Sequence, residues 1–433
     1  MNAWHHLPDL YFLHIPKTAG TSVRAWAEGL FPHDAILPAH HINPMEALPD
    51  EIILKCRFAS GHFGWRFVER AESLGREIEV FTFLRDVVGL HMSLLGYAPH
   101  IPEDVFDKVS ASVAETLRST AAMAGNPKKI KFITETEFDV EERLRANPGP
   151  IPGQNPFVLH MMGAGAQDDG KIEMTAALVD EASRRLHDVF MVGLVEDMAG
   201  SFALLCHRLG LPYVPLGRTL NKTEKKLKPS ESYSELVRRR NPHDLRLYEE
   251  AGQRLESSKA ELFLTYGAAS VEELAAPMRA AFLATERGVA RIGEAEITMA
   301  DGLVSEGLAP RFFFEDYQRW IRWAGRQSTL YLPLDTSSDR NVRFEIATTM
   351  NDVIRDGLTL SVNGHDIPLT RSYETWPDDA FHVICEGTIP AAAMQPGAQY
   401  TALDLAAPED VETDYPESMG ARAAFALADI SIA

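Results

Sequence analysis

The chain contains 433 residues, of which 45% are hydrophobic and 24% are charged, as in ordinary globular proteins. This length predicts about two or three domains, each long enough to bury a core. The formal net charge is −20, from 62 acidic and 42 basic residues, and it opposes non-specific binding to nucleic acid or to an anionic membrane.

Cysteine usage and the N-terminal residues predict the compartment. Cys56, Cys206 and Cys385 are widely spaced and match neither a disulfide framework nor a metal-binding pattern. The first residues lack the basic and apolar regions of a signal peptide, and no apolar run of about 18 residues occurs. We therefore predict a cytoplasmic protein with reduced thiols, no metal and no membrane span.

The first predicted element is a strand over the apolar residues 11–15, and a helical pattern follows at 23–30. The turn between them contains Lys17, Thr18, Ala19, Gly20, Thr21 and Ser22. A strand that enters a tight turn and opens a helix directs free N–H groups and the positive end of a helix dipole at one point, which suits phosphate or sulfate. Lys17 adds a charge, but it precedes Gly20, so the spacing is not that of a Walker A motif.

The next motif is A-S-G-H-F-G, at residues 59–64, in which a strand-like run leads into Gly61 and His62. A histidine at a strand end, beside glycines that let a substrate approach, can act as a general base. A single histidine among the 15 in the chain is more often structural. The catalytic interpretation of His62 is favoured because it lies between the motif at residues 11–22 and a second candidate phosphate motif at residues 81–93.

The third motif covers residues 81–93, where an apolar strand ends at Leu84 and is followed by Arg85 and Asp86. Ser93 lies eight residues after Arg85, on the predicted helix. An arginine at a strand end and a hydroxyl on the next helix can hold one phosphate together. Two phosphate sites at neighbouring strand ends suit a nucleotide that is phosphorylated at both ends.

Over residues 1–270, short apolar runs alternate with helical patterns. This alternation predicts a P-loop-like α/β fold of three layers, with a parallel sheet flanked by helices. Residues 147–156 are dense in Pro and Gly and predict a loop, typical of a lid or an acceptor-site segment. Glu196, in a strand–turn–helix pattern, is predicted to be a structural or capping carboxylate.

The remainder of the chain has a different pattern. Residues 271–307 are rich in Ala and Glu and predict a helical connector. Residues 308–433 contain short alternating runs, with Asn363-Gly364 between two of them, and predict an all-β, sandwich-like accessory domain. Trp320 and Trp323 are predicted to pack in its core or interface rather than to stack on a sugar.

The motifs at residues 11–22, 59–64 and 81–93 together resemble those of the sulfotransferases, in particular the membrane-type carbohydrate family that includes heparan sulfate 2-O-sulfotransferase. The resemblance covers about residues 10–265. It implies transfer of a sulfuryl group from 3′-phosphoadenosine 5′-phosphosulfate (PAPS) to a hydroxyl acceptor on a glycan or glycoconjugate, without a metal. The animal members are membrane-anchored, whereas the present chain has no predicted membrane span, so it would be a soluble bacterial version.

The resemblance also implies residue roles. The residues implied to bind PAPS are Lys17, Thr18, Ala19, Gly20, Thr21, Ser22, Arg85, Ser93 and Lys222. His62 would be the catalytic base, and Lys17 would stabilise the departing phosphate. Lys222 belongs to a basic segment, residues 218–228, that is either a solvated loop or a clamp over PAPS, and Asn155 would lie near the acceptor. Val87 and Leu90 depart from the family pattern, which usually has proline and a basic residue there.

Two other classes of function remain open. A P-loop-like ATP-dependent kinase is disfavoured by the missing Walker A spacing and by the lack of an obvious pair of magnesium-binding carboxylates. A non-catalytic glycan-binding protein would act through the C-terminal β domain. The acceptor and the oligomeric state are not predicted.

Overall fold

The computed structural model of the protein describes residues 6–37, 47–101, 111–146, 155–163, 173–215, 227–315, 318–373, 382–413 and 422–433. Its described part combines a mixed α/β region, built on a parallel sheet, with a separate antiparallel sheet at the C-terminal end. The predicted α/β class and the predicted all-β C-terminal region are both confirmed at this level.

The parallel sheet has the strand order β2-β1-β3-β4. Its strands are β1 (Leu10–Leu13), β2 (Phe58–Gly61), β3 (Glu79–Leu84) and β4 (Met191–Leu194). Every residue of β1, β2 and β4 is buried. Because successive side chains of a strand point to opposite faces, this burial shows that both faces of the sheet are covered, as the apolar runs indicate.

The strand order creates a crevice at one edge of this sheet. The chain leaves β1 towards β2 on one side, and it leaves β3 towards β4 on the other side. The carboxyl ends of β1 and β3 therefore form a switch point, the place where open α/β sheets bind ligands. The segments that follow these two strands contain the first and third sequence motifs.

Helices account for most of the remaining α/β region. Their bounds are α1 (Gly20–Glu28), α2 (Asp50–Lys55), α3 (Arg66–Ser73), α4 (Val87–Tyr97), α5 (Ala111–Ala124), α6 (Pro127–Glu135), α7 (Val140–Ala146), α8 (Pro156–Met161), α9 (Ala176–Asp188), α10 (Met198–Arg208), α11 (Glu231–Arg240) and α12 (Pro242–Tyr266). No helix in the described ranges is both long enough and apolar enough to cross a membrane.

The N-termini of α8 and α12 cap each other. The Asn155 side-chain oxygen accepts hydrogen bonds from the backbone N–H groups of His243 and Asp244, at 3.2 and 3.1 Å. In return the Asp244 carboxylate accepts from Phe157 N and Val158 N, at 2.9 and 3.0 Å. Helix N-termini leave such donors without partners inside the helix, so this exchange satisfies both ends at once.

The C-terminal region forms one ten-stranded sheet with a further two-stranded ribbon, rather than two separate stacked sheets. Its strands are β5 (Ala295–Thr298), β6 (Ser305–Phe314), β7 (Arg319–Leu332), β8 (Arg340–Thr349), β9 (Thr359–Val362), β10 (His365–Ile367), β11 (Thr370–Ser372), β12 (Val383–Ile389), β13 (Thr401–Ala406), β14 (Val411–Glu412), β15 (Arg422–Ala423) and β16 (Phe425–Ile432). A short helix, α14 (Asp352–Gly357), precedes β9. Register shifts between β16 and β8 mark bulges, which bend a strand and help a sheet to curl.

Two local predictions can be compared directly with this sheet. Asn363 and Gly364 connect β9 and β10, with φ of 49° and 82°, as a two-residue hairpin turn requires. The interval 271–307 contains α13 (Ala275–Ala284), but β5 already pairs with β16. The C-terminal sheet therefore starts upstream of residue 308, where β5 pairs with residues 429–432 of β16, beyond the part of β16 that pairs with β7.

Replacement of Asp244 by alanine tests the paired caps. Asp244→Ala leaves two buried N–H groups of α8 without an acceptor, so we expect the free energy of unfolding to fall by about 2–4 kcal/mol. The exposed cap Asn126, which accepts from Lys128 N and Lys129 N, is the matched control, and Asn126→Ala should cost about 1 kcal/mol. Denaturant unfolding measures both, and equal losses would contradict the role of the buried exchange.

Candidate functional site

The turn between β1 and α1 has an unusual backbone. Lys17 and Ala19 adopt φ values of 70° and 61°, the left-handed region that side chains other than glycine rarely enter. Thr18 is buried between them, and its hydroxyl donates to the Ile15 carbonyl at 2.8 Å. Left-handed residues in a turn direct N–H groups into a concavity that binds anions, and such strain persists mainly where function uses it.

Gly20 begins α1 directly after this turn. A β-carbon at Gly20 would overlap the imidazole ring of His14, so the residue must be glycine for His14 to lie where it does. Gly20 is buried, whereas Thr21 is exposed and Ser22 is buried. Of the predicted binding residues in this turn, Thr18, Gly20 and Ser22 are buried and shape the turn, whereas Thr21 is exposed.

Arg85 connects the first and third motifs. Its Nη1 donates a hydrogen bond to the Lys17 carbonyl at 3.1 Å, across the gap between the ends of β1 and β3. The Nε of Arg85 is buried and has no hydrogen-bond partner among the residues that the structure describes. A β-carbon on Gly89 would lie 3.3 Å from this Nε, so glycine leaves room for it. Arg85 therefore retains an unused donor at the crevice.

Asp86 and Glu196 hold the start of α4. The Asp86 carboxylate accepts from Gly89 N at 2.7 Å and caps the helix, which gives a regular entry although Val87 stands where the sulfotransferases that the motif resembles usually have proline. Glu196 accepts from Asp86 N at 3.2 Å and from the Tyr248 hydroxyl at 3.0 Å. This is the structural role predicted for Glu196.

One face of α4 is directed towards the β1–α1 turn. Gly89, Ser93 and Tyr97 are spaced four residues apart, so they lie on the same side of the helix. Gly89 is next to Arg85, and the Lys17 Nζ lies 3.8 Å from the centre of the Tyr97 ring. Ser93 lies between these two contacts along the helix. The structure thus brings Lys17 and Arg85 together, and helical spacing places Ser93 on the face of α4 that contacts them.

Lys17 lies in an unusual electrostatic environment. Burial, and then the positive charge of Arg85, lower the pKa of Lys17 below its usual value. The Tyr97 ring offsets part of this cost because its negative face attracts the ammonium group. Two cations held close together, neither of them in an ion pair with a carboxylate of the described residues, make the crevice attractive to an anion.

His62 lies at the end of β2, on the other side of β1. Its Nδ1 is 2.6 Å from the His14 carbonyl oxygen, and the two imidazole centres are 4.5 Å apart. A carbonyl can only accept, so Nδ1 carries the proton and Nε2 of the neutral ring is the basic atom. This contact orients His62 as a base would need, since the tautomer is set by the backbone.

The structure does not place every predicted site residue in the crevice. Asn155 caps α12 and is buried, so the described contacts assign it a structural role rather than an acceptor contact. Lys222 and most of the basic segment lie outside the described residues, as does most of the loop at 147–156. Trp323 is buried in the C-terminal sheet, and Trp320 packs on His33 and Phe313, as predicted for core and interface residues.

Two residues of the candidate site, Tyr97 and His14, were not predicted from the sequence to contribute to it. Tyr97 supports Lys17, and its spacing of four residues from Ser93 is the signal that would have identified it. His14 lies within the first motif, and its contacts with both Gly20 and His62 make it the wall between the β1–α1 turn and the candidate base. Within the described ranges, no group of three His, Cys, Asp or Glu side chains is placed to hold a metal ion.

No protein-family model and no curated protein matches the chain. Among solved structures, the chain is similar to a family GH115 4-O-methyl-α-glucuronidase with specificity for decorated arabinogalactans, at 12% identity and a TM-score of 0.20. The match covers 89% of this chain and 47% of that one, so the chain spans about half the length of that protein. A likeness at this TM-score carries no argument about fold or function.

Replacement of Gly20 by alanine tests the wall formed by His14. The added methyl group overlaps the His14 ring, so Gly20→Ala should reduce the free energy of unfolding by about 1–3 kcal/mol. Gly125→Ala is the control, because its β-carbon would meet only the Ala121 carbonyl, at an ordinary 3.5 Å, and should cost less than about 0.5 kcal/mol. Thermal or denaturant unfolding compares them, and a Gly20→Ala protein as stable as the control would contradict this packing.

Proposed function

We propose that this protein transfers a sulfuryl group from PAPS to a hydroxyl acceptor, with a carbohydrate as the preferred class. The observation that carries the proposal is the hydrogen bond from Arg85 to the Lys17 carbonyl. It joins two elements suited to phosphate at the switch point of the sheet, one after β1 and one after β3. A nucleotide with phosphate groups at both its 5′ and 3′ positions matches two such elements, whereas ATP carries all its phosphates at one end.

The described residues fit the two ends of PAPS. The left-handed turn at Lys17 and Ala19, with the first N–H groups of α1, would hold the 5′-phosphosulfate in a P-loop-like manner. The unused Nε of Arg85, with the Ser93 hydroxyl, would hold the 3′-phosphate, for which a guanidinium is the best-matched side chain. PAPS supplies a sulfuryl group already bonded to a good leaving group, so the protein has only to orient and to stabilise charge.

Two side chains, His62 and Lys17, take up the proton and stabilise the charge that the transfer produces. His62 Nε2 takes the proton of the acceptor hydroxyl as that oxygen bonds to sulfur and the bond between sulfur and the phosphate oxygen breaks. The electron pair of the broken bond moves to that phosphate oxygen, where Lys17 and the N–H groups of the turn stabilise the charge. The products are a sulfate ester and adenosine 3′,5′-bisphosphate.

The acceptor is proposed by class alone. The net charge of −20 disfavours a long polyanionic acceptor, because the global field repels it unless a local basic cleft intervenes. A neutral or weakly charged glycan, glycolipid or small alcohol is therefore preferred. An ATP-dependent kinase and a non-catalytic glycan-binding protein are the competing functions that the two experiments below separate.

Arg85→Met tests the assignment of the two phosphate sites. Loss of the guanidinium should weaken binding of adenosine 3′,5′-bisphosphate by about 10- to 100-fold, and binding of adenosine 5′-monophosphate by a clearly smaller factor, because only the first ligand loses the 3′-phosphate contact while both lose the hydrogen bond that holds the Lys17 turn. Isothermal titration calorimetry measures both ligands, together with ATP.

The control is Arg76→Met. Arg76 pairs with Asp9 at 2.5 Å, before β1 and so at the opposite end of the sheet. This variant should bind all three nucleotides like the unaltered protein. An unaltered protein that binds ATP as tightly as adenosine 3′,5′-bisphosphate would overturn the proposal in favour of the kinase.

His62→Asn tests the base. The asparagine amide can still donate to the His14 carbonyl, but it cannot accept a proton, so kcat should fall by about 10²- to 10⁴-fold while stability and nucleotide affinity remain unchanged. The measurement is transfer of labelled sulfate from PAPS to a panel of glycans, glycolipids and small alcohols. Unchanged transfer by His62→Asn would remove His62 from the mechanism. Absence of transfer by the unaltered protein, despite nucleotide binding, would favour the glycan-binding alternative.

A further inference from the structure

Helix α1 links the candidate nucleotide site to the C-terminal sheet. Its N-terminus is the anion-binding turn, and its nine residues extend over about 13.5 Å at 1.5 Å per residue. Its C-terminal turn meets β6 and β7 of the C-terminal sheet. The two ends of one short helix thus contact the two regions of the protein.

Arg311 of β6 holds the C-terminal end of α1. Its two terminal nitrogens donate to the carbonyls of Glu28 and Phe31, and also to Ala300 in the β5–β6 loop. The last carbonyls of a helix have no partner within the helix, and they form the negative end of its dipole. One guanidinium from the other region of the protein therefore satisfies both needs.

Arg322 of β7 brings a second guanidinium, which is buried, to the end of α1. It is 5% exposed, its Nε donates to the Ala309 carbonyl at 2.8 Å, and its Nη2 lies 3.1 Å from where a β-carbon on Gly29 would be. Burial lowers the pKa of Arg311 to about 10 and of Arg322 to about 9, so both stay charged at neutral pH. The Glu28 and Asp301 carboxylates and the carbonyls of Glu28 and Phe31 compensate the charge of Arg311, whereas Arg322 donates to the Ala309 carbonyl.

Backbone contacts reinforce this junction. Leu303 N donates to the Gly29 carbonyl at 3.0 Å, and His33 N donates to the Ala300 carbonyl at 2.8 Å. A β-carbon on Gly302 would overlap the carbonyl of Leu30, so the β5–β6 loop and the end of α1 are in direct backbone contact. The end of α1 cannot move without breaking these contacts.

From these contacts we infer that Arg311 is a positioning residue for the anion-binding turn, acting through α1 from its far end. The inference rests on the proposed function, because it assigns the turn to the 5′ end of the nucleotide. A helix whose C-terminal end is held at the Glu28, Gly29 and Phe31 carbonyls presents its first N–H groups in one place. Without Arg311, α1 can shift or tilt, and displacement of binding groups by about 1 Å is enough to weaken their action strongly.

The test separates the two phosphate sites. In Arg311→Met, affinity for adenosine 3′,5′-bisphosphate should fall about tenfold, whereas affinity for adenosine 3′-monophosphate, held through Arg85, should stay within about twofold. General destabilisation would weaken both ligands equally. Arg311→Lys, which retains a donor, should recover part of the loss. Gly302→Ala disturbs the same junction without removing a charge and should show the same pattern.

Arg319→Met is the matched control. Arg319 lies on the hairpin partner of β6 and pairs with Glu345 and Asp429 within the sheet, away from α1. It should bind both nucleotides like the unaltered protein. Affinities within twofold of the unaltered protein in both Arg311→Met and Gly302→Ala would overturn the inference.

Hydrogen–deuterium exchange gives a readout that needs no nucleotide. Amides of residues 19–24, at the opposite end of α1, should exchange at least about fivefold faster in Arg311→Met and Gly302→Ala than in Arg319→Met, because local opening sets the rate. If the unaltered protein binds no adenosine 3′,5′-bisphosphate, the proposed function fails, and faster exchange would still support the positioning role of Arg311. Unchanged exchange would overturn it.

Discussion

The hydrogen bond between Arg85 and the Lys17 carbonyl is the contact on which the site depends. It connects two βα units that diverge from the sheet, so the turn after β1 and the start of α4 occupy fixed positions relative to each other. The bond uses one nitrogen of Arg85 and leaves its buried Nε, beside Gly89, without a hydrogen-bond partner among the described residues. One nitrogen of Arg85 thus fixes the turn, and another has hydrogen-bonding capacity left for a ligand of the proposed site. The conformational entropy lost on ordering this one side chain serves both roles.

His14 performs a corresponding task on the other side of β1. Its ring occupies the space that Gly20 leaves open, and its carbonyl sets the tautomer of His62. The anion-binding turn and the candidate base are therefore positioned by the same residue. In the proposed mechanism, His14 would therefore link the position of the turn to the orientation of His62.

Features specified by local pattern could be predicted from the sequence, and features specified by packing could not. The strands after which the motifs lie, and the Asn363-Gly364 hairpin, follow from apolar runs and from turn chemistry that act over a few residues. The Arg85–Lys17 contact spans 68 positions and exists only because β3 lies beside β1, which strand patterns do not reveal. Asn155 was assigned to the acceptor side on family resemblance, whereas the packing of α12 engages it as a cap.

The junction at the end of α1 changes how the C-terminal sheet is understood. A tethered accessory domain would present a polar, replaceable surface to its neighbour. Here, by contrast, the Arg311 guanidinium donates to the Glu28 and Phe31 carbonyls at the end of α1, and the buried Arg322 lies beside it. Separation of the two regions would leave those carbonyls without donors and would deprive the Arg311 guanidinium of these acceptors. The C-terminal sheet is therefore part of the framework that holds α1, and through α1 the turn of the proposed nucleotide site.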